Sequence, residues 1–172
     1  MGQKALLIRR IVLTALMAAL IFVLTRMIQI PTPGNGYIHL GDAGIVFVSL
    51  AFGPWVGAVA GGLGTTLADL TSYPQWAVFS LLVHGLQGAL IGLLVRRGVN
   101  KRTLTFAGIA SVLVVVIGYF LAGWILMGLA STVKDIPLNI VQGLSGIVGG
   151  VLLYIGVTRA YPRLLHTAGR AS

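Results

Sequence analysis

Residues 43–68 read AGIVFVSLAFGPWVGAVAGGLGTTLA, a run of 26 residues without a charge. A helix needs about 20 apolar residues to cross about 30 Å of hydrocarbon. The run is therefore one long span or two short ones, and Gly53-Pro54 near its centre decides which. Proline has no N–H to donate and opposes a continuing helix, and Gly-Pro is a turn signal. Four more charge-free intervals flank it: 11–25, 70–95, 103–133 and 136–158. A kink at Gly53-Pro54 leaves five spans; a turn makes six.

The placement of charge chooses between them. With six helices, Lys4, Arg9, Arg10, Arg96, Arg97, Lys101, Arg102, Arg159, Arg163 and Arg170 share one side, with Arg26 and Lys134 opposite. Five helices would put the Arg96–Arg102 cluster across from the N-terminus. Basic residues favour the cytoplasmic side, so six spans with both termini cytoplasmic are expected. The expected fold is an all-α membrane protein, a single integral-membrane domain over 1–172. Its helices fall at about 8–29, 39–52, 55–70, 76–95, 104–129 and 136–158, with helices 2 and 3 short. Helix 2, at about 21 Å, is too short to span alone. The preceding Pro31-Thr32-Pro33-Gly34-Asn35-Gly36 is barred from helix and is expected to cover its outer end.

Composition agrees. The 172 residues are 57% hydrophobic and 9% charged, with mean hydropathy +0.98. A soluble domain carries roughly 25% charged residues. A water-soluble fold and a disordered chain are both excluded. The net charge of +9 reflects membrane topology rather than nucleic-acid binding. With no cysteine there is no disulfide, thiolate metal site or cysteine nucleophile. Gly61-Gly62-Leu63-Gly64-Thr65-Thr66 lacks the lysine of a phosphate loop and sits in an apolar helix. No Gly-x-Ser-x-Gly and no His-Glu-x-x-His is present, so neither a serine hydrolase nor a metalloenzyme is expected.

Glycines recur at helical spacing, at 57, 61 and 64, at 85, 88 and 92, and at 143, 146, 149 and 150. Such stripes let membrane helices approach closely. Ala15 and Ala19 make a small-xxx-small face on helix 1, fit for a partner helix or for packing within the chain.

Polar side chains at membrane depth are expensive and tend to face a cavity or a partner. Asp42 and Asp69 lie near the outer ends of helices 2 and 3. His84 and Gln87 share a face of helix 4, roughly 12 and 16 Å below Trp76. Ser80 continues that face outward. Asn139 and Gln142 share a face of helix 6, about 5 and 9 Å below Ile136, with Asp135 just outside that helix. These groups are expected to converge on one outward-facing chamber with Tyr73, Trp76 and Trp124 as aromatic walls. The same amides could instead bond neighbouring helices, and Asp42 could cap helix 2. Two acids, a histidine and two amides without a nearby cation suit a neutral or weakly basic heteroaromatic guest better than an anion.

Several stretches together resemble the substrate-binding S component of an energy-coupling factor (ECF) vitamin transporter. They are Ala15-xxx-Ala19, the Pro/Gly-rich first loop running into Gly36-Tyr37-Ile38-His39-Leu40-Gly41-Asp42, and Phe52-Gly53-Pro54-Trp55-Val56-Gly57. His84-Gly85-Leu86-Gln87-Gly88 and Pro137-Leu138-Asn139-Ile140-Val141-Gln142-Gly143 complete the set. The resemblance covers residues 10–158 and is nearest the hydroxymethylpyrimidine and vitamin B6 branch. It implies a multi-pass subunit of the bacterial cell membrane that captures a vitamin or precursor and is not itself an enzyme. The implied partners are a membrane coupling protein and two ATPase subunits, which use ATP; no cofactor or metal is expected in this chain. By the resemblance, Ala15 and Ala19 dock on the coupling protein and Thr32, Pro33, Gly34, Asn35, Gly36 and Tyr37 form the lid. Asp42, Asp69, Tyr73, Trp76, His84, Gln87, Asn139 and Gln142 line the pocket. The rival expectation is a small autonomous channel or an oligomeric secondary transporter.

Overall fold

The computed structural model describes residues 3–33 and 35–161. Gly34 of the expected lid, and Arg163 and Arg170 of the expected basic side, lie outside the described residues. Helix α1 spans Gln3–Met27, α2 Gly41–Ser72, α3 Ala77–Val95, α4 Lys101–Met127 and α6 Ile136–Ala160, with α5 a single turn at Leu129–Thr132. Strands β1 (Gln29–Pro31) and β2 (Tyr37–His39) form an antiparallel hairpin between α1 and α2. Five helical stretches are long and apolar enough to cross a bilayer by length and composition: 3–27, 41–72, 74–95, 101–127 and 129–160.

The α2 stretch doubles back on itself. Gly53 has φ 83° and ψ −175°, outside the helical region, a conformation open to glycine because it has no Cβ. Pro54 then starts the second half with its φ already helical and no N–H to strand. In a straight helix Ile45 and Gly61 would stand about 24 Å apart. Here a methyl on Gly61 would lie 3.3 Å from the Ile45 side chain, and one on Gly57 would strike Ser49. Segments 41–52 and 54–72 are thus antiparallel neighbours, and Gly53-Pro54 is a turn rather than a kink.

The α2 halves are central and the other helices wrap them. Ala18 and Ile21 of α1 pack with Ile45, Val48, Val56 and Ala60. Val46 and Leu50 pack with Ile91 and Val95 of α3 and Ala107 of α4. The outward faces of α1, α3, α4 and α6 expose large apolar residues such as Ile11, Leu82, Ile117 and Leu152, as helices bathed in hydrocarbon do. Glycine sets the tightest crossing: a Cβ on Gly88 of α3 would overlap the Gly57 carbonyl of α2.

One end of the bundle collects the basic residues. The Arg10 guanidinium lies over the Trp55 ring at 5.7 Å, which brings the start of α1 to the Gly53 turn. Gly92, near the end of α3, abuts Pro54. Val95, Leu104 and Tyr154 meet in one cluster, so the 96–102 connection and the end of α6 lie there too. The opposite end carries the hairpin, Trp76 and Asp135.

Boundaries differ from the sequence reading where local chemistry intervenes. The first helix stops at Met27 rather than 29, because Gln29 pairs with His39 across the hairpin. His39, expected at the start of a helix, is therefore in a strand. The α4 helix stops at Met127 rather than 129, because Gly128 has φ 82°. Its start moves back to Lys101, because Asn100 and Thr103 form a reciprocal capping box.

Candidate functional site

The hairpin and four helices bring polar groups together at the end opposite the basic cluster. A small cavity there is lined by Thr32, Gly36, Tyr37 and His39 from the hairpin, and by Asp69 of α2. Trp76, Ser80 of α3, Tyr119 of α4, Asp135 and Asn139 of α6 close it. Its interior space is about 20 Å³, room for about one water molecule. The larger concavities between helices are apolar grooves: the one between α4 and α6, of about 840 Å³, has Lys101 at the basic end and no acid or histidine.

Three side chains tie the hairpin down. The Tyr37 hydroxyl donates to Asp69 Oδ1. The Trp76 indole N–H donates to the Asn35 carbonyl at 3.1 Å. The Thr32 hydroxyl donates to Asp135 Oδ2 at 3.1 Å. Burial, with the Asp69 charge beside it, pushes the Tyr37 phenol up, so it stays a donor. Tyr73 does not line the cavity. It stacks on Tyr37 with ring centroids 4.6 Å apart and so braces the lid from behind.

Below the cavity runs a buried hydrogen-bonded layer. Ser80 Oγ and the Tyr119 hydroxyl are 2.6 Å apart, and that hydroxyl is 2.9 Å from His84 Nε2. His84 Nδ1 lies 2.8 Å from Gln87 Oε1, and Gln87 Nε2 donates to Ser111 Oγ at 2.9 Å. Asp42 Oδ1 stands 3.3 Å from His84 Nδ1 but makes no aligned hydrogen bond, since that nitrogen points to Gln87. The Gln142 amide bridges, donating to Asp42 Oδ2 at 3.4 Å and accepting from the His39 N–H at 3.1 Å. Gly146 lets α6 approach: a Cβ there would overlap that of Asp42.

His39 joins lid to floor. Its Nδ1 accepts from the Gly41 N–H at 3.0 Å, which requires that nitrogen to be unprotonated. Burial, and after it the neighbouring His84, hold its pKa well below the usual histidine range, consistent with that neutral ring. His39 thus caps α2 in place of Asp42, which points inward. His39, Asp42 and His84 are the described residues whose ligand atoms, all within 4.8 Å, could hold a metal. Both nitrogens of His84 are already engaged by Gln87 and Tyr119.

Of the eight expected pocket residues, Asp69, Trp76 and Asn139 line the cavity. Asp42, His84, Gln87 and Gln142 form the layer beneath, and Tyr73 stands behind the lid. Trp124 is a correction: it is 54% exposed and is no wall. Five residues separate it from Tyr119, about 140° around a helix of 3.6 residues per turn, so Tyr119 faces α3 and Trp124 faces outward. Tyr119, Ser111 and His39 were missed as site residues. A tyrosine hydroxyl midway along the charge-free interval 103–133 was the available signal for Tyr119, because a phenol in hydrocarbon needs a partner. Replacing Tyr119 with Phe removes the hydroxyl that meets both Ser80 Oγ and His84 Nε2. The expected loss is about 1–3 kcal/mol of stability, read as a lower unfolding midpoint in detergent. An unchanged midpoint would show that this hydroxyl bridges nothing of consequence.

Ala15 and Ala19 are exposed on α1, while Thr14, Ala18, Ile21 and Thr25 face the bundle. The small-residue face is therefore not used for packing within the chain.

Residues 5–159 match the family described as ECF-type riboflavin transporter, S component. The chain is 38% identical over 144 residues to an uncharacterized protein of Pyrococcus woesei, covering 83% of this chain and 97% of that one. It is 37% identical over 144 residues to the thiamine precursor transporter HmpT of Lactococcus lactis, covering 82% of each. It is 32% identical over 168 residues to the UPF0397 protein YdcD of Lactococcus lactis, covering 92% of this chain and 88% of that one. A bundle of long apolar helices with a polar cavity beside the hairpin agrees with that match, and the chain belongs to the family of ECF transporter S components.

Proposed function

We propose that this chain is the substrate-capture subunit of an ATP-driven importer for a small heteroaromatic vitamin or precursor, hydroxymethylpyrimidine or pyridoxine-like. It spans the cell membrane six times with both termini cytoplasmic, and it works with a membrane coupling protein and two ATPase subunits. The basic end then faces the cytoplasm and the hairpin end faces outward. The observation that carries this reading is the convergence of the hairpin, α2, α3, α4 and α6 on one lidded polar cavity at the end away from the basic cluster.

Small-molecule pockets typically measure about 300–1,000 Å³, far above the present 20 Å³. Loading therefore requires the 32–37 lid to lift. The ties to be broken are the Tyr37–Asp69, Trp76–Asn35 and Thr32–Asp135 hydrogen bonds. Each exchanges a protein partner for water, at a net cost of roughly 0.5–1.5 kcal/mol, more where a charged group takes part. A lid held by a few such bonds opens thermally and recloses over a guest. Inside, the Trp76 ring offers a stacking face and Asp69 and Asn139 offer polar contacts; Asp42, His84, Gln87 and Gln142 hold the floor rigid beneath them. The relative HmpT is a thiamine precursor transporter, which supports the substrate class rather than the exact molecule.

The test is to purify the chain alone in detergent and titrate it with hydroxymethylpyrimidine, pyridoxine and riboflavin. Binding of the first or second, with uptake into vesicles only when the coupling module and ATP are added, is the expected result. Riboflavin as the sole ligand overturns the substrate, and transport by the chain alone would favour an autonomous channel or carrier. His84→Ala or Asn139→Ala should weaken binding by roughly 1–3 kcal/mol without unfolding. Wild-type affinity in both variants would remove these residues from the site.

A further inference from the structure

Resting on the capture reading above, we propose that Asp69 selects a guest bearing an exocyclic amino group, the aminopyrimidine class, over ring systems that lack one. Asp69 lines the cavity and is only 1% exposed. Its Oδ1 already accepts from Tyr37. Its Oδ2 is buried with no hydrogen-bond partner among the described residues. A carboxylate only accepts, and a buried acceptor left unmatched is costly. What completes it is a donor: the neighbouring Ser80 hydroxyl is shared with Tyr119 at 2.6 Å, so the further source is a guest in the cavity.

The other walls define the rest of the guest. The Trp76 indole N–H is committed to Asn35, so its ring face is what remains to meet a flat heterocycle. Asn139 and Ser80 stand on other walls, each able to donate to or accept from a ring nitrogen or a hydroxymethyl group. No Lys or Arg among the described residues lines the cavity, so a carboxylate on the guest would be repelled by Asp69. An N–H donor on a neutral or weakly basic ring answers both features. Pyridoxine carries hydroxyls but no amino group, and so separates the two candidate substrates.

The experiment is calorimetric titration of the purified chain with three probes. They are 4-amino-5-hydroxymethyl-2-methylpyrimidine, its 4-deamino analogue and pyridoxine, each against wild type and Asp69→Asn. The amino compound should bind wild type about tenfold or more tighter than either of the others. In Asp69→Asn that preference should collapse, because the amino compound loses affinity and the deamino analogue does not. A smaller preference in wild type, or one that survives in a folded Asp69→Asn, overturns the assignment while leaving the capture reading intact. Failure of all three probes to bind wild type overturns the hydroxymethylpyrimidine or pyridoxine-like substrate on which the assignment rests. Should Asp69→Asn not fold, the wild-type comparison alone decides.

Discussion

In cells carrying the coupling protein and ATPases proposed as partners, Ala15→Trp is expected to abolish vitamin uptake while the purified variant binds its ligand with wild-type affinity. The reason lies in how α1 divides its surface. Thr14, Ala18, Ile21 and Thr25 are buried, and Gly64 of α2 sits against the Ala18 carbonyl and Ile21. Ala15 and Ala19 point away from that contact and are exposed, beside Val12, Leu16 and Leu20. The α1 helix places no residue in the cavity wall, so a bulky side chain at 15 leaves the binding site untouched. A flat patch of small residues lets a second helix come close, and an indole there holds it off. Ala19→Trp should behave alike. Lost ligand binding in either variant, or normal uptake in both, would refute docking through this face.

Gly88→Leu is expected to yield no folded, monodisperse protein on size exclusion. A Cβ at Gly88 would overlap the Gly57 carbonyl and its carbon, both backbone atoms. A side chain can rotate away from a clash, but two helix backbones in contact can only separate. Separation would part α3 from the second half of α2, and with it Ser80, His84 and Gln87 from Asp42 and Asp69. Overpacking at a site that can yield costs roughly 1–3 kcal/mol; this one offers no yielding group. Gly156→Ala is the matched control, since a Cβ there meets nothing within 4 Å, and it should express and elute as wild type. A folded Gly88→Leu protein with wild-type ligand affinity would show that the close crossing is dispensable.

The reach of the sequence differs from element to element. That the chain is a bundle of long apolar helices was readable because hydrocarbon demands long apolar runs, and the Arg96–Arg102 cluster argued for which side each run returns to. The Gly53-Pro54 turn followed from that parity argument, although neither residue alone separates a kink from a reversal. The hairpin was not readable: its strands are three residues each, too short for an alternating pattern. A Pro/Gly-rich segment looks the same whether or not its ends pair.

At the site, the acids, His84 and the amides stood out because polar groups are rare in apolar helices. Their separation into a wall and a floor did not. Asp69 and Asp42 look alike in the sequence, yet one lines the cavity beside Tyr37 while the other is locked to Gln142 and His84. Periodicity tells which residues share a face of one helix, and says nothing of which helix that face meets.

What the chain's own order of residues determined is its solvent, its helical class and the kind of side chain that must be hidden from lipid. These follow from transfer free energies, which are local and nearly additive along the chain. Only the tertiary structure decided which of those side chains touch, that Tyr119 rather than Trp124 faces inward, and that one oxygen of Asp69 remains without a partner. Such facts depend on the rotation of each helix about its axis, which is set by glycine contacts between segments distant in sequence.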